Sequence, residues 1–324
     1  PPATAPKPGS APSAGAPKPA TTPAGSAPKP DPIVFLAGGP GGAGTLSAPG
    51  VVAAGMNADR DIIFVNQRGT VHSDPNLSCP EMDDFTARSV QLPLSAPSTA
   101  DLDAAAVAAC RKRLESSGAA FAAYDTDENA ADIADLREKL GIDQWNVYGV
   151  SYGTDLAQQL LRDHPKGIRS MVLDSVVAPH LNLVDRWWQA PASGLAAIFT
   201  ACAEQPACAA AYPDLPTVFL DTVNKLSQTP LEVTTTAPTG EATRVTIDGA
   251  KVVPLLVEWS ADPGKAIDIP RAIFTLAHGD GALAAAGIVA GVPPAAQRGL
   301  LGPGDEHQAG AGGVGEGLDG GAGV

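Results

Sequence analysis

Trp145-Asn146-Val147-Tyr148-Gly149-Val150-Ser151-Tyr152-Gly153-Thr154-Asp155-Leu156 is the stretch that decides the fold. Residues 145–148 form a short run of the kind that suits a strand buried on both faces. The next five residues read Gly-x-Ser-x-Gly, and Leu156, Leu160 and Leu161 then recur at helical spacing, ahead of Pro165. Strand, sharp turn and helix are the setting in which that pentapeptide carries chemistry. The two glycines let the backbone fold tightly against its neighbours. The turn holds the Ser151 hydroxyl clear of the sheet, at a helix N-terminus that favours developing negative charge.

Similar apolar runs lie on either side. Ile33–Ala37, Ile62–Val65 and Met171–Leu173 read as further parallel strands. Helical stripes separate them. Leu102, Ala106, Cys110 and Leu114 form one; Ile133, Leu136 and Leu140 form another, capped by Thr126 or Asp127 and closed by Gly141. Strands alternating with helices predict a doubly wound, mostly parallel α/β sheet over 33–180. From 181 to 295 the reading is mostly helical, interrupted by one hairpin in which Leu231–Thr235 and Arg244–Ile247 flank Ala-Pro-Thr-Gly.

The two ends differ in composition. Residues 1–32 hold eleven prolines and three copies of Ala-Pro-Lys-Pro, at 5–8, 16–19 and 27–30. They read as an extended, disordered arm. Over 296–324 glycine dominates and no apolar period survives, so a disordered tail is expected.

The 324 residues carry 21 Lys+Arg against 35 Asp+Glu, a net charge of −14. Such a surface argues against nucleic-acid or anionic-membrane partners. No apolar run is long enough to span a bilayer. Four cysteines allow three pairings. Cys202 and Cys208 are six apart in one helical segment, Cys79 sits in a Pro-flanked loop and Cys110 on a helix stripe. Pairing Cys79–Cys110 and Cys202–Cys208 is expected, which implies an oxidising, extracytoplasmic compartment. No spacing suits zinc, and no cofactor or metal is expected.

A second stretch, Gly38-Gly39-Pro40-Gly41-Gly42-Ala43-Gly44, follows the first strand. No Lys-Ser/Thr follows it, so it is not a phosphate loop, and no dinucleotide fingerprint is evident. Such a loop can instead offer a backbone N–H to an oxyanion. A third stretch, Asn66-Gln67-Arg68-Gly69-Thr70, follows the second strand.

Together with Cys79-Pro80-Glu81, Cys110-Arg111, Tyr148–Thr154 and Val172-Leu173-Asp174, these stretches make residues 31–290 resemble one family. It is the prolyl-iminopeptidase and tripeptidyl-aminopeptidase family of α/β-hydrolases, in its secreted, two-disulfide form. The resemblance implies an α/β-hydrolase core with a helical cap and a serine exopeptidase acting on short peptides. By that likeness Ser151 is the nucleophile, and the N–H groups of Tyr152 and Gly41 form the oxyanion hole. An esterase, or a hydrolase-like fragment without turnover, are the competing readings. Asn66 and Val71 stand where the family usually has Asp and Gly, and a Val that cannot readily take φ > 0 predicts a rebuilt loop. The resemblance also implies an acid and then a base after the cap. Nothing there matches, so a truncated family member is expected. Within the chain, Asp174 is the available acid; His72, His164, His180, His278 and His307 are the available bases, of which His278 has the right order.

Overall fold

The computed structural model describes residues 29–182 and 188–292. Four strands, β1 (Ile33–Leu36), β2 (Ile62–Phe64), β3 (Trp145–Val150) and β4 (Ile168–Asp174), form a fully parallel sheet in the order β2-β1-β3-β4. Five α-helices belong to this half among the described residues: α1 (Gly44–Ala53), α2 (Pro80–Ser89), α3 (Pro97–Ser116), α4 (Thr126–Lys139) and α5 (Tyr152–Asp163). Parallel pairing requires long crossovers, and helices supply them.

Side chains alternate across the sheet. Val34, Leu36, Trp145 and Val147 are at most 1% exposed and pack on Ala130 and Ile133 of α4 and on Leu156, Ala157 and Leu160 of α5. The opposite face carries Phe64, Phe35, Tyr148 and Val172, which stand in register across all four strands. The Phe35 ring lies 5.4 Å from Phe64 and 5.9 Å from Tyr148, nearly parallel to the latter. Val172, on the outer strand, is half exposed.

The helix stripes hold in part. Ala106, Cys110 and Leu114 are buried, whereas Leu102, Leu140 and Leu161 are exposed. Helix α4 is capped by Asp125, whose carboxylate accepts the Glu128 N–H, and not by Thr126 or Asp127. Gly141 follows it at φ +67°, as a C-terminal stop requires. Both expected cysteine pairs are joined, Cys79–Cys110 and Cys202–Cys208.

Of the arm expected over 1–32, residues 1–28 lie outside the described residues, as does the tail over 296–324. Residues 29–32 are tied to the sheet. The Lys29 N–H donates to Asp59 O, and Asp31 accepts from Asn146, Arg60 and Arg169 beneath the N-terminal ends of the strands. The Asn146 hydrogen bond, helped by Arg60 and Arg169, lowers the Asp31 pKa to about 2. Because the folded value lies below the unfolded one, this contribution is whole above about pH 4 and lost as pH falls toward 2. Asp31→Asn is therefore expected to flatten that part of the stability–pH curve, measured by urea titration between pH 2 and 5.

The second half surrounds its own hydrophobic cluster. It contains α6 (Gln189–Glu204), α7 (Pro206–Ala211), α8 (Leu215–Gln228), β5 (Leu231–Thr236), β6 (Ala242–Ile247), α9 (Gly249–Ser260), α10 (Pro263–Ala266), α11 (Ile269–Ala277) and α12 (Ala282–Ala290). Strands β5 and β6 are the expected hairpin, antiparallel from Leu231↔Ile247 to Thr236↔Ala242.

One segment of the first half enters that cluster. Val90 is buried among its side chains. Thr246 bonds to Val90 O and Gln91 O, and the Lys251 ammonium donates to the carbonyls of Val90, Leu92 and Thr246 at 2.7–2.8 Å. Burial lowers the Lys251 pKa to about 8, opposed by Asp248. Asp248, fully buried, accepts the Ser95 N–H at 2.7 Å and caps α9 through the Lys251 N–H at 3.0 Å. Asp248→Ala removes at once the acceptor of the Ser95 N–H and the side-chain cap of α9. A loss of about 3 kcal/mol is expected, seen as a lower denaturation midpoint at unchanged slope.

Candidate active site

Ser151 sits at the junction of β3 and α5, with φ 53° and ψ −121°. A residue with a Cβ avoids this region, at a cost of about 1–2 kcal/mol, so its surroundings must hold it there. They do so from two sides. The Ser151 N–H donates to Asp174 O on the neighbouring strand, and its carbonyl accepts both the N–H and the hydroxyl of Thr154.

The glycines of the motif are needed for space. A Cβ on Gly149 would lie 2.3 Å from Gly153 O, and one on Gly153 would lie 2.0 Å from Leu36 O. The elbow is thus pressed backbone to backbone onto β1. The glycine loop after β1 closes over the same point. A Cβ on Gly38 would lie 2.9 Å from the Ser151 Cβ. Gly39 and Gly41 take φ of +116° and +107°. Within the loop the Gly42 N–H donates to Gly38 O. Among the described residues the N–H groups of Gly41 and Tyr152 donate to no other backbone group. The Tyr152 phenol pairs with the Thr126 hydroxyl at 3.0 Å, and burial raises its pKa.

The 66–73 loop adjoins the glycine loop. Val71 is buried and does not take positive φ, whereas exposed His72 does, at 65°, as does Gly69, at 80°. Asn66 and Gln67 bond to the glycine loop, as detailed below. Arg68 reaches the other way. It makes a two-pronged pair with Asp132 at 2.7 and 2.8 Å, and it also meets Glu128 and Ala123 O. Those carboxylates raise its pKa, so it is a fixed cation fastening the loop to α4.

Asp174 ends β4, beside Ser151 in the sheet, and exposes its carboxylate. The Tyr148 hydroxyl donates to it at 2.9 Å, which raises the Tyr148 pKa, and Ser175 donates at 3.1 Å. This Tyr148–Asp174 contact escaped the sequence reading; the register Val150↔Asp174 is what creates it. The histidines are scattered. His278, favoured by chain order, ends α11 in the helical half. Its Nδ1 meets Phe274 O at 2.6 Å and its ring lies against Phe274. No described histidine bonds to Ser151 or Asp174. His72 and His180 are exposed on loops that follow β2 and β4, at the end of the sheet where Ser151 lies. His164 ends α5, and His307 lies outside the described residues.

Among the described residues no cluster of three or more His, Cys, Asp or Glu is placed to hold a metal ion, and no helix is long and apolar enough to cross a membrane.

With this geometry the comparisons can be weighed. The chain is 32% identical to a tripeptidyl aminopeptidase of Streptomyces coelicolor over 169 residues, covering 49% of this chain and 30% of that protein. It is 26% identical over 159 residues to the serine protease Hip1 of Mycobacterium tuberculosis, covering 47% and 31%. It is 29% identical over 145 residues to a probable proline iminopeptidase of S. coelicolor, covering 45% and 32%. The chain therefore spans about a third of the length of these curated relatives. Residues 31–212, more than half of the chain, match the family of the alpha/beta hydrolase fold, as the parallel sheet and its serine elbow require; the chain belongs to that family.

Proposed function

We propose that this chain is a serine hydrolase that releases residues from the N-termini of short peptides, with Ser151 as nucleophile. The observation that carries the reading is the strained Ser151 backbone, held at φ 53° between a strand end and a helix N-terminus with Gly38 packed against its Cβ. A serine kept in that conformation presents its hydroxyl to substrate rather than to the sheet.

In the proposed reaction a base takes the Oγ proton and Oγ attacks the scissile carbonyl. The N–H groups of Gly41 and Tyr152 hold the resulting oxyanion, each contributing about 3 kcal/mol. The amine leaves with a proton, and water then releases the acyl group. Asp174 is the candidate acid by position. Action at peptide N-termini rests on the names of two relatives, an aminopeptidase and an iminopeptidase. The two disulfides support an oxidising, extracytoplasmic compartment.

The test is reaction with a fluorophosphonate, followed by mass mapping. Label on Ser151 supports the reading; a folded sample without label overturns it. Cleavage of an aminoacyl-arylamide then separates a peptidase from an esterase, which would cleave only a short acyl ester. Labelling of His72→Ala, His180→Ala and His278→Ala identifies the base as the one variant that loses it.

A further inference from the structure

Asn66 and Gln67, outside the proposed machinery, hold the glycine loop at its two ends. The Gln67 side chain is 4% exposed, and its Nε2 donates to Ala37 O at 3.1 Å, just before Gly38. The Gln67 carbonyl is fixed in turn by the hydroxyls of Thr70 and Ser73, at 2.7 and 2.9 Å. At the far end of the loop, Asn66 Oδ1 accepts both the N–H and the hydroxyl of Thr45 at 3.0 Å. The Asn66 Nδ2 donates to Val71 O at 2.8 Å, and its backbone bridges to Ala43. The backbone at Val65 also touches the loop, since a Cβ on Gly44 would lie 2.3 Å from Val65 O.

Between these anchors the loop has little to hold it. Its glycines have no side chains, and within it the Gly42 N–H donates to Gly38 O. A segment with such backbone freedom keeps one conformation only where its ends are fixed. We propose that Asn66 and Gln67 are positioning residues, an amide brace that sets the Gly38–Gly44 loop, and with it the Gly41 N–H, against Ser151. The positioning role rests on the reading of Ser151 as nucleophile; the bracing itself does not. Gln67 needs the amide most, since donation is all that its side chain does here. Each side chain faces a carbonyl with its NH2 group, and Asn66 also accepts from Thr45. A carboxylate at position 67 has nothing to donate and turns a negative oxygen toward the Ala37 carbonyl.

The test uses the full chain and two readouts: hydrogen exchange of peptides covering 37–45, and the rate of phosphonate labelling at Ser151. Gln67→Met and Asn66→Ala are each expected to speed exchange there about tenfold and to slow labelling at least tenfold, as misplacement near a reacting centre does. Thr45→Val, at an exposed position that threatens the fold least, is expected to move both readouts in the same direction by a smaller factor. Gln67→Glu adds a pH signature. Its carboxyl can donate only while protonated, so its labelling rate relative to the parent falls as pH rises. Folded variants with unchanged exchange at 37–45 overturn the brace. Faster exchange with unchanged labelling overturns the positioning role. A parent chain that takes no label overturns the nucleophile reading instead, and exchange alone still decides the brace.

Discussion

Gly153→Ala is expected to leave a chain that does not reach the native state, or reaches it at a cost of at least about 3 kcal/mol. The added methyl would lie 2.0 Å from Leu36 O, 2.7 Å from Leu36 C and 2.9 Å from Ala37 O. All three are backbone atoms, so no rotamer change relieves the clash. The backbone concerned is β1, an inner strand with neighbours on both sides. The only escape is to lift α5 from the sheet, which uncovers Leu156 and Leu160, each worth about 1.5–3 kcal/mol when buried. Gly50→Ala provides the contrast. It lies inside α1 with nothing within 4 Å of its added methyl, so a gain of about 0.5–1 kcal/mol is expected. Urea titration of the pair measures both, and near-equal midpoints would refute the steric account.

Ser151→Ala is the complementary experiment, because it removes chemistry and leaves geometry. Alanine keeps the Cβ that Gly38 packs against, and the two hydrogen bonds from Thr154 go to the backbone carbonyl of residue 151. Stability is expected to stay within about 1 kcal/mol of the parent. Labelling should vanish, and arylamide turnover should fall about 10⁴- to 10⁶-fold, the scale seen when a catalytic serine is removed. A variant that keeps half of the parent's turnover would sink the nucleophile assignment outright. Ser151→Gly should be equally inactive yet at least as stable as the alanine variant, since glycine accepts φ 53° without strain.

How much of this was legible follows from which interactions are local. The elbow was, because strand, glycines, serine and helix are contiguous between Trp145 and Leu160, and glycine is the residue that fits where backbone meets backbone. Strands β1, β2 and β3 were read from their apolar runs. Strand β4 was found only from Met171 onward, because Arg169 and Ser170 lie on an exposed outer strand and break the apolar run. The Cys202–Cys208 pair was read from its short spacing, which left Cys79 with Cys110, and the hairpin from its turn residues. What stayed hidden was set by tertiary geometry. Among the non-glycine residues of the 66–73 loop it is His72, not Val71, that takes positive φ, and nothing in the sequence marks it. The order of residues made His278 attractive, yet it lies exposed at the end of α11, in the half built on the other hydrophobic cluster. Lys251 gave no signal at all: a lysine in a helical stretch reads as solvated, and only the folded chain brings three carbonyls to its ammonium.

The entry of residues 90–95 into the helical half bears on how this chain can be recombined. A graft that exchanges everything after β4 for the matching part of another protein looks clean along the sequence. It would nonetheless leave Val90 without its apolar neighbours and would separate Lys251 and Asp248 from the carbonyls and the N–H they serve. Helices α2 and α3 flank that segment and are bound to each other through Cys79–Cys110. The unit of exchange is therefore discontinuous: a chimera must carry residues 79–116 together with the helical half, and so has seams before 79 and after 116 as well as at the end of β4.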